Sequence, residues 1–388
     1  MIQSVCFIAN KYPNKVDKNG LVFVQQLVWT MADLGIKCYV ICPCAVNIKP
    51  KLFSLSEHEI EITENGSKID VFFPKFIGFG QSHYILGKSP APITTWFFTK
   101  SVLRIINKYK LKIDAVYGHF AAPAGVCAAR VGRKLSIPSF MAHGESTDWS
   151  IKQFGAKKMK AEFETLAGVI AVSSRNRDLL IDSGVVSSEI INVFPNGYRP
   201  ERFYRVDKQI ARARLGWDSN KFIVGMVGSF IERKGPLRLQ AAVEKLPNVY
   251  FACAGKGDQT PKSEKCIWAG PLHNDELVYF YNALDIFVLP TLNEGCCNAI
   301  VEAIACGCPI ITSDRSFNYD ICDKSNAVLI DPTSVEEIAL AIDKLRNNKN
   351  EVDSLREGSM KKAPSLTLSQ RAKTIIDFMN VEEKKYVK

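Results

Sequence analysis

Two glutamates eight residues apart, Glu294 and Glu302, lie in NEGCCNAIVEAIACGCP (Asn293 to Pro309), a run otherwise rich in alanine, isoleucine and cysteine. From Ala299 to Cys306, Glu302 is the one residue that is not apolar. Burying an ionised carboxylate without partners is costly, so Glu302 is expected to hold something specific; the plainer alternative is a carboxylate favoured near a helix N-terminus. Asn298 is placed to cap a helix from Ala299 to Cys306, with Gly307 as its left-handed stop and Pro309 beyond. The loop Gly295, Cys296, Cys297 and Asn298 would then offer backbone amides to an anion or a sugar hydroxyl. Two adjacent cations, Arg233 and Lys234, sit in the glycine-bounded stretch GSFIERKG, either as a charged site or as a solvated turn. His119 (YGHFAAPAG) and His143 (FMAHGESTDW) each end a strand-like run, where a side chain can reach a ligand more readily than in the core.

These groups need a scaffold. A length of 388 residues suits two domains with a core each, and 47% hydrophobic and 23% charged residues are ordinary for a folded protein. The start, MIQSVCFIANKYP, has no signal-peptide pattern, and no stretch reaches the roughly 18 apolar residues of a membrane span. Twelve cysteines are scattered through apolar segments such as KCYVICPC and YFACAG and read as reduced, buried side chains. Neither Cys42 with Cys44 nor Cys306 with Cys308 has a second pair at zinc-site spacing.

The net charge of +10 is concentrated in the first half, where residues 1 to 195 hold 23 Lys/Arg against 15 Asp/Glu. Between Asp70 and Asp114 stand seven basic residues and no acid, interleaved with Phe72, Phe73, Phe76, Phe79, Tyr84, Trp96, Phe97 and Phe98. Basic charge mixed with exposed aromatics in residues 71–113 suits an anionic membrane surface; a solvated face over core aromatics would give the same pattern. No recognised motif supports nucleic acid as a partner.

Short apolar runs alternate with helix-like periods along the chain, the pattern of parallel sheets covered by helices. SVCFIA, KCYVIC, DAVYGH, PSFMAH and GVIAVS read as strands of a first unit, with helices over LVFVQQLVWTMAD and from Ala121 to Lys134, and another capped near Ser173 or Ser174. After the break at INVFPNGY the pattern restarts with FIVGMVGS, YFACAG, CIWAG, DIFVLP and PIITSD, and TSVEEIALAIDKLRNN is a capped amphipathic helix. Two doubly wound α/β domains in series predict a cleft lined by strand carboxyl ends and helix N-termini.

VGSFIERKG, GPLHNDELVYFYNALDIFVLPTLNEGCCNAIVEAIACGCPIITSD and INVFPNGYRPERF together resemble the retaining glycosyltransferases of family 4, in the expected order and over nearly the whole chain. The most specific element is Glu-x7-Glu, here Glu294 to Glu302, within E-G-x-x-N-x-x-x-E-A. The resemblance implies the GT-B fold, two Rossmann-like domains facing each other across a cleft. It puts an acceptor-binding domain at 1–196, a nucleotide-sugar domain at 197–367, and a C-terminal helix of about 368–388 packing back on the first. It also implies that Glu294 hydrogen-bonds the donor sugar, that Glu302 holds the ribose hydroxyls, and that Gly270, Leu272 and residues 295–298 border the donor. Lys234 matches the lysine of V-G-R-x-x-x-x-K-G, whose charge stabilises the departing diphosphate. Ser229 stands where that pattern has arginine, and Arg233 is the candidate substitute. His143 matches the histidine directed at the donor sugar, with His119 and Glu145 on the acceptor side. Gly20 matches the second glycine of a phosphate-contacting pair whose first position is Asn19.

The implied reaction is transfer of a sugar from a nucleotide donor, UDP-linked by preference, to a lipid-linked or glycan acceptor of a bacterial surface polysaccharide. It proceeds with retention and without a metal, since the chain has no D-x-D motif, and the nucleotide sugar is a co-substrate rather than a cofactor. The expected location is the cytoplasm, peripheral on the inner face of the membrane. A non-catalytic sugar-nucleotide or glycan-binding protein, favoured by Ser229, and a nucleotide-sugar epimerase are the alternatives.

Overall fold

In the computed structural model, which describes residues 1–80 and 87–386, the chain forms two compact units. The first holds Met1–Phe194 and Ala372–Lys388, the second Pro195–Arg371. The C-terminal helix Leu368–Tyr386 thus begins in the second unit and runs into the first.

The sheet of the first unit is laid out as Ile191–Val193, Gly168–Ala171, Ser139–His143, Ala115–His119, Ser4–Ala9, Lys37–Ile41, Lys68–Phe72 and His58–Ile62. Every neighbouring pair is parallel except the last two strands. From Ser4–Ala9 the chain steps to one side and then returns to the other at Ala115–His119, so the order reverses between those two strands. A crevice forms outside the carboxyl ends at such a reversal. The central strands SVCFIA, AVYGH and SFMAH are buried at every residue, as strands covered on both faces must be. Helix Ala91–Tyr109 lays Phe98, Val102, Ile105 and Ile106 on this core, each worth about 1.5–3 kcal/mol when fully buried.

The second unit has the order Cys266–Gly270, Val249–Ala254, Phe222–Val227, Ile286–Leu289, Ile310–Ser313 and Ala327–Ile330, all parallel. Its reversal lies between Phe222–Val227 and Ile286–Leu289. The loops at the carboxyl ends interlock: Gly228 N donates to Ala254 O, Phe230 N to Lys256 O and Gly255 N to Gly270 O. A Cβ on Gly255 would stand 1.9 Å from Gly228 O, so only glycine lets these loops meet.

Three local expectations are corrected. The segment from Ala121 to Lys134 is not one helix: a single wide turn, Ala121–Gly125, precedes helix Val126–Leu135, and Ala122 is extended at φ −139° and ψ 142°. Pro123 causes this, because proline disfavours helical backbone in the residue before it. The acid-free stretch is also only partly exposed: Phe72, Phe73 and Phe98 are core residues, whereas Phe79 and Trp96 are exposed; Tyr84 lies outside the described residues. Lastly, the helix after Glu294 runs Asn298–Ala305, and Cys297 occupies the cap position without a side-chain cap bond. Asn298 does not cap it because its Oδ1 accepts from Asn196 Nδ2 at 2.8 Å. Gly307 does adopt the left-handed conformation, at φ 66°.

Two helices begin as their sequences indicate. Ser173 Oγ accepts from Asn176 N at 3.2 Å and Ser334 Oγ from Glu337 N at 3.1 Å, the local bonds that make serine a helix start. All twelve cysteines are free, and all but Cys266 are buried.

Candidate active site

The charged site of the second unit is built at its strand reversal. After Phe222–Val227 the chain passes Gly228 and the exposed Ser229, then makes one tight turn, Glu232–Lys234, closed by Gly235 at φ 77°. After Ile286–Leu289 it runs through Thr291 to Glu294. The two loops are tied by Leu292 N donating to Arg233 O at 2.8 Å. This register brings the cations onto the glutamate: Arg233 Nη1 lies 2.5 Å and Lys234 Nζ 2.6 Å from Glu294 Oε1. Thr291 Oγ1 donates to the same oxygen at 2.9 Å, and Arg233 also donates to Asn293 O. Both cations are thus held on one carboxylate that is 12% exposed, Arg233 itself being 37% and Lys234 12% exposed.

Burial alone would depress the Lys234 ammonium, but Cys297 and Glu294 outweigh it and its pKa lies above the usual value. The Cys297 thiol is itself raised by burial, so it is neutral near pH 7 and Glu294 supplies the negative charge. Two cations on one anion leave a net positive site, able to attract further negative charge.

Asn196 organises the neighbouring loop. Its Nδ2 donates to Cys296 O at 3.0 Å as well as to Asn298, and its N–H donates to Cys296 Sγ at 3.3 Å. Among the described residues the amides of Gly295, Cys296 and Cys297 donate no hydrogen bond to protein, and they lead into helix Asn298–Ala305, whose Ile300 N already donates to Cys297 O at 3.1 Å. Asn196 was missed as a positioning residue; its place in VFPNGY before a break was the available signal.

About one turn along that helix, Glu302 accepts from Tyr281 Oη at 2.7 Å through Oε2. The residue is half-buried, yet its carboxyl group is enclosed by protein: desolvation pushes its pKa up to about 7 against the Tyr281 hydrogen bond and the charges of Arg202 and Lys234. Gly270 ends the edge strand Cys266–Gly270, with Leu272 two residues beyond it, and Gly270 O accepts from Gly255 N and Trp268 Nε1.

In the first unit, a cavity of about 940 Å³ opens at the carboxyl ends of the strands flanking the reversal. It takes Asn10 to Tyr12 after the first strand, Cys42 to Ala45 after the second, Phe120, Ala122 and Pro123 after Ala115–His119, and Glu145 after Ser139–His143. Glu145 Oε2 is held by Ser150 Oγ at 2.8 Å and the Ala121 amide at 3.4 Å. It also stands 3.4 Å from Nδ1 of His143. His143 is fully buried, and its Nε2 has no hydrogen-bond partner among the described residues.

Glu145 lines the cavity and His143 lies behind it. His119 is not in the lining: it is buried beside Phe23, at 5.4 Å between ring centroids, and Phe120, at 4.7 Å. Gly20 ends the Lys11–Gly20 loop, where a Cβ would sit 3.1 Å from Tyr12 O, ahead of Leu21, which does line the cavity.

Two α/β units, each with its charged or hollow site at the strand reversal, define the GT-B class of glycosyltransferase. The model for glycosyltransferase family 4 matches residues 22–202 and that for glycosyl transferases group 1 matches residues 207–362. The chain belongs to this family of glycosyltransferases.

A putative teichuronic acid biosynthesis glycosyltransferase of Bacillus subtilis strain 168 is 26% identical over 348 residues, 87% of this chain and 88% of that one. An Escherichia coli UDP-Gal:alpha-D-GlcNAc-diphosphoundecaprenol alpha-1,3-galactosyltransferase is 25% identical over 279 residues, 64% and 72% of the two chains. In fold, the chain matches sucrose-phosphate synthase of Thermosynechococcus elongatus with a TM-score of 0.73 at 18% identity, over 98% of each chain. It matches Anabaena HepE in complex with UDP and glucose with a TM-score of 0.69 at 15% identity, over 98% of this chain and all of that one.

Proposed function

We propose that the chain is a retaining, metal-independent hexosyltransferase that moves a sugar from a UDP-linked donor to a lipid-linked or glycan acceptor during synthesis of a bacterial surface polysaccharide. The observation that carries this reading is the convergence of Arg233 and Lys234 on Glu294. In the proposed reaction the bond from the sugar's anomeric carbon to the diphosphate breaks and the bond to the acceptor oxygen forms on the same face. The acceptor proton passes to the departing diphosphate. Lys234 and Arg233 stabilise the charge growing on that group, in the role a metal would otherwise fill. Glu294 and the free amides of residues 295–297 hold the sugar and phosphates, Gly270 and Leu272 border the nucleotide, and Glu302 accepts from the ribose hydroxyls. The acceptor lies in the cavity of the first unit beside Glu145. Arg233 answers the loss of arginine at Ser229 on which a non-catalytic reading depends.

The Glu302 assignment has a pH signature. Its folded pKa lies above the ordinary 4.5, so its contribution to stability is full below about pH 4.5 and is lost as pH rises through about 7. Ribose hydroxyls donate best to the ionised form, so donor binding strengthens over the same interval. UDP-glucose, whose diphosphate does not titrate there, is expected to bind about tenfold tighter at pH 8 than at pH 6. Calorimetry on Glu302→Gln should show that dependence abolished; an unchanged slope would remove Glu302 from the donor site. A transfer assay with a panel of UDP-sugars in the presence of a chelator tests the reaction itself, and binding without turnover on any acceptor would favour the non-catalytic reading.

No helix of the described residues is long and apolar enough to cross a membrane. For a peripheral enzyme on the cytoplasmic face, the exposed Phe79, Ile93 and Trp96, with Lys100 Nζ 3.7 Å from the Trp96 ring centroid, supply apolar and cationic contacts. The chain should sediment with anionic liposomes, and Trp96→Ser with Lys100→Ser should release it. Equal recovery on neutral vesicles would defeat the electrostatic part.

A further inference from the structure

We propose that Thr291 and Ser313 are positioning residues of the transfer reaction, two members of a fully buried row of polar side chains that holds the Glu294 carboxylate in place for the donor sugar. The inference rests on the glycosyltransferase reading, in which Glu294 meets that sugar, and adds the residues that stand behind it.

The row starts where a strand pair stops. Strands Ile286–Leu289 and Ile310–Ser313 pair in register up to Leu289 opposite Thr312. Beyond that point side chains take over from the backbone. Thr312 Oγ1 donates to Leu289 O at 2.9 Å, and Ser313 Oγ donates to Thr291 O at 2.6 Å. Asn318 braces both from behind, its Nδ2 donating to Thr312 Oγ1 at 3.2 Å and to Ser313 O at 2.8 Å. Thr291 passes the constraint on to the site. Its hydroxyl has one proton, and Glu294 Oε1 at 2.9 Å is a nearer acceptor than Asn293 O at 3.5 Å.

Thr291, Thr312, Ser313 and Asn318 are all fully buried, as are their strand neighbours Leu289, Ile310 and Ile311. Packing alone asks for residues of the second kind, because a buried hydroxyl or amide costs stability unless it is bonded. The polar four form one connected row, and the row ends on the carboxylate that also carries Arg233 and Lys234. Attraction between charges is weakly directional, so two cations alone leave Glu294 room to swing. The Thr291 hydroxyl adds a directed bond, and Ser313 fixes the carbonyl of the residue that makes it. A reacting group needs such support, since a small displacement of a contact to the substrate costs rate and affinity.

UDP and UDP-glucose serve as the probes, titrated by calorimetry into the full chain. Thr291→Val, which trades the hydroxyl for a methyl, should weaken UDP-glucose about tenfold and leave UDP within about threefold of the parent, since UDP lacks the sugar that Glu294 meets. Thr291→Ser keeps the hydroxyl and should bind UDP-glucose as the parent does. Ser313→Ala should act in the same direction as Thr291→Val, and the double variant should be no weaker than the worse single one, because the two residues act in series. A loss shared equally by UDP and UDP-glucose is what a merely structural role produces, and it would overturn the proposal. So would additive losses in the double variant, or a Thr291→Val protein that binds UDP-glucose as the parent does. If Ser313→Ala melts below the assay temperature, Thr291→Val decides alone, because it leaves the bond from Ser313 to Thr291 O in place. A parent that binds neither ligand rejects the donor reading itself, whereas parental binding of UDP-glucose with Thr291→Val unmoved rejects this inference only.

Discussion

Lys234→Ala is expected to lower kcat for sugar transfer by about 10²–10³, the loss seen when one preorganised group facing developing charge is removed. The donor's affinity should fall by less, because the ground-state diphosphate carries its charge over many oxygens while the transition state concentrates new charge at the breaking bond. Lys234 is suited to this because it is fixed. Its side chain is 12% exposed, its ammonium is held 2.6 Å from Glu294, and its stem runs over Gly228, where a Cβ would be 3.5 Å from Lys234 Cδ. A cation that does not reorient during the reaction contributes more than a mobile one. Arg233 remains on Glu294 in the variant, so the fold of the loop should persist, and circular dichroism with UDP titration controls for it. Single-turnover rates at saturating donor decide the matter: a kcat within about threefold of the parent, less than 1 kcal/mol of barrier, would take Lys234 out of the chemistry.

Asp285→Ala should cost about 3–5 kcal/mol of stability in the second unit, the range for removing one partner of a buried ion pair. Arg212 is 1% exposed and is the largest fully buried side chain. Its Nη2 lies 2.8 Å from Asp285 Oδ2, while Nε donates to Ala283 O and Nη1 to Ser219 O and Lys221 O. Asp285 also receives Lys208 Nζ at 2.8 Å and the Ile223 N–H at 2.7 Å. The variant strands a buried guanidinium and unpairs the amide that starts the central strand. Replacing both partners, Arg212→Met with Asp285→Ala, should recover only part of the loss, since the three carbonyls and the Ile223 amide stay unmet. Calorimetry that follows the UDP-shifted transition measures this, and a shift below about 1 kcal/mol would show that the pair is dispensable.

The ten apolar runs read as strands in the sequence all occur as strands, most clearly the central SVCFIA, AVYGH and SFMAH, since a parallel strand covered on both faces must be apolar throughout. Six strands among the described residues were not legible, one of them Ile191–Val193 in the segment read as a break. HEIEI and KIDVF are edge or near-edge strands whose polar residues alternate, so they lack the continuous run. Ala327–Ile330 is a short outer strand, and the two-residue ribbon Cys44–Ala45 with Lys75–Phe76 is too short to carry a period. The acid-free stretch misled in part because basic residues and aromatics alternate in number but not in direction. Helix periodicity sends Phe98 inward and Trp96 outward two residues apart.

By itself the sequence determined the class of fold, the family through Glu294 and Glu302, and the candidate loops, since hydrophobic period, glycine stops and motif spacing are local properties of the chain. Only the tertiary structure decided that Arg233 shares Glu294 with Lys234, that Asn298 is bound by Asn196 instead of capping its helix, and that Glu145 lines the cavity with His143 behind it. The first two outcomes depend on distances between loops 61 and 102 residues apart in the chain, set by strand register and by which glycines let backbones touch. The Glu302 pKa of about 7 has the same origin, because desolvation is a property of the surroundings a folded chain assembles around a group and not of the residue or its neighbours in sequence.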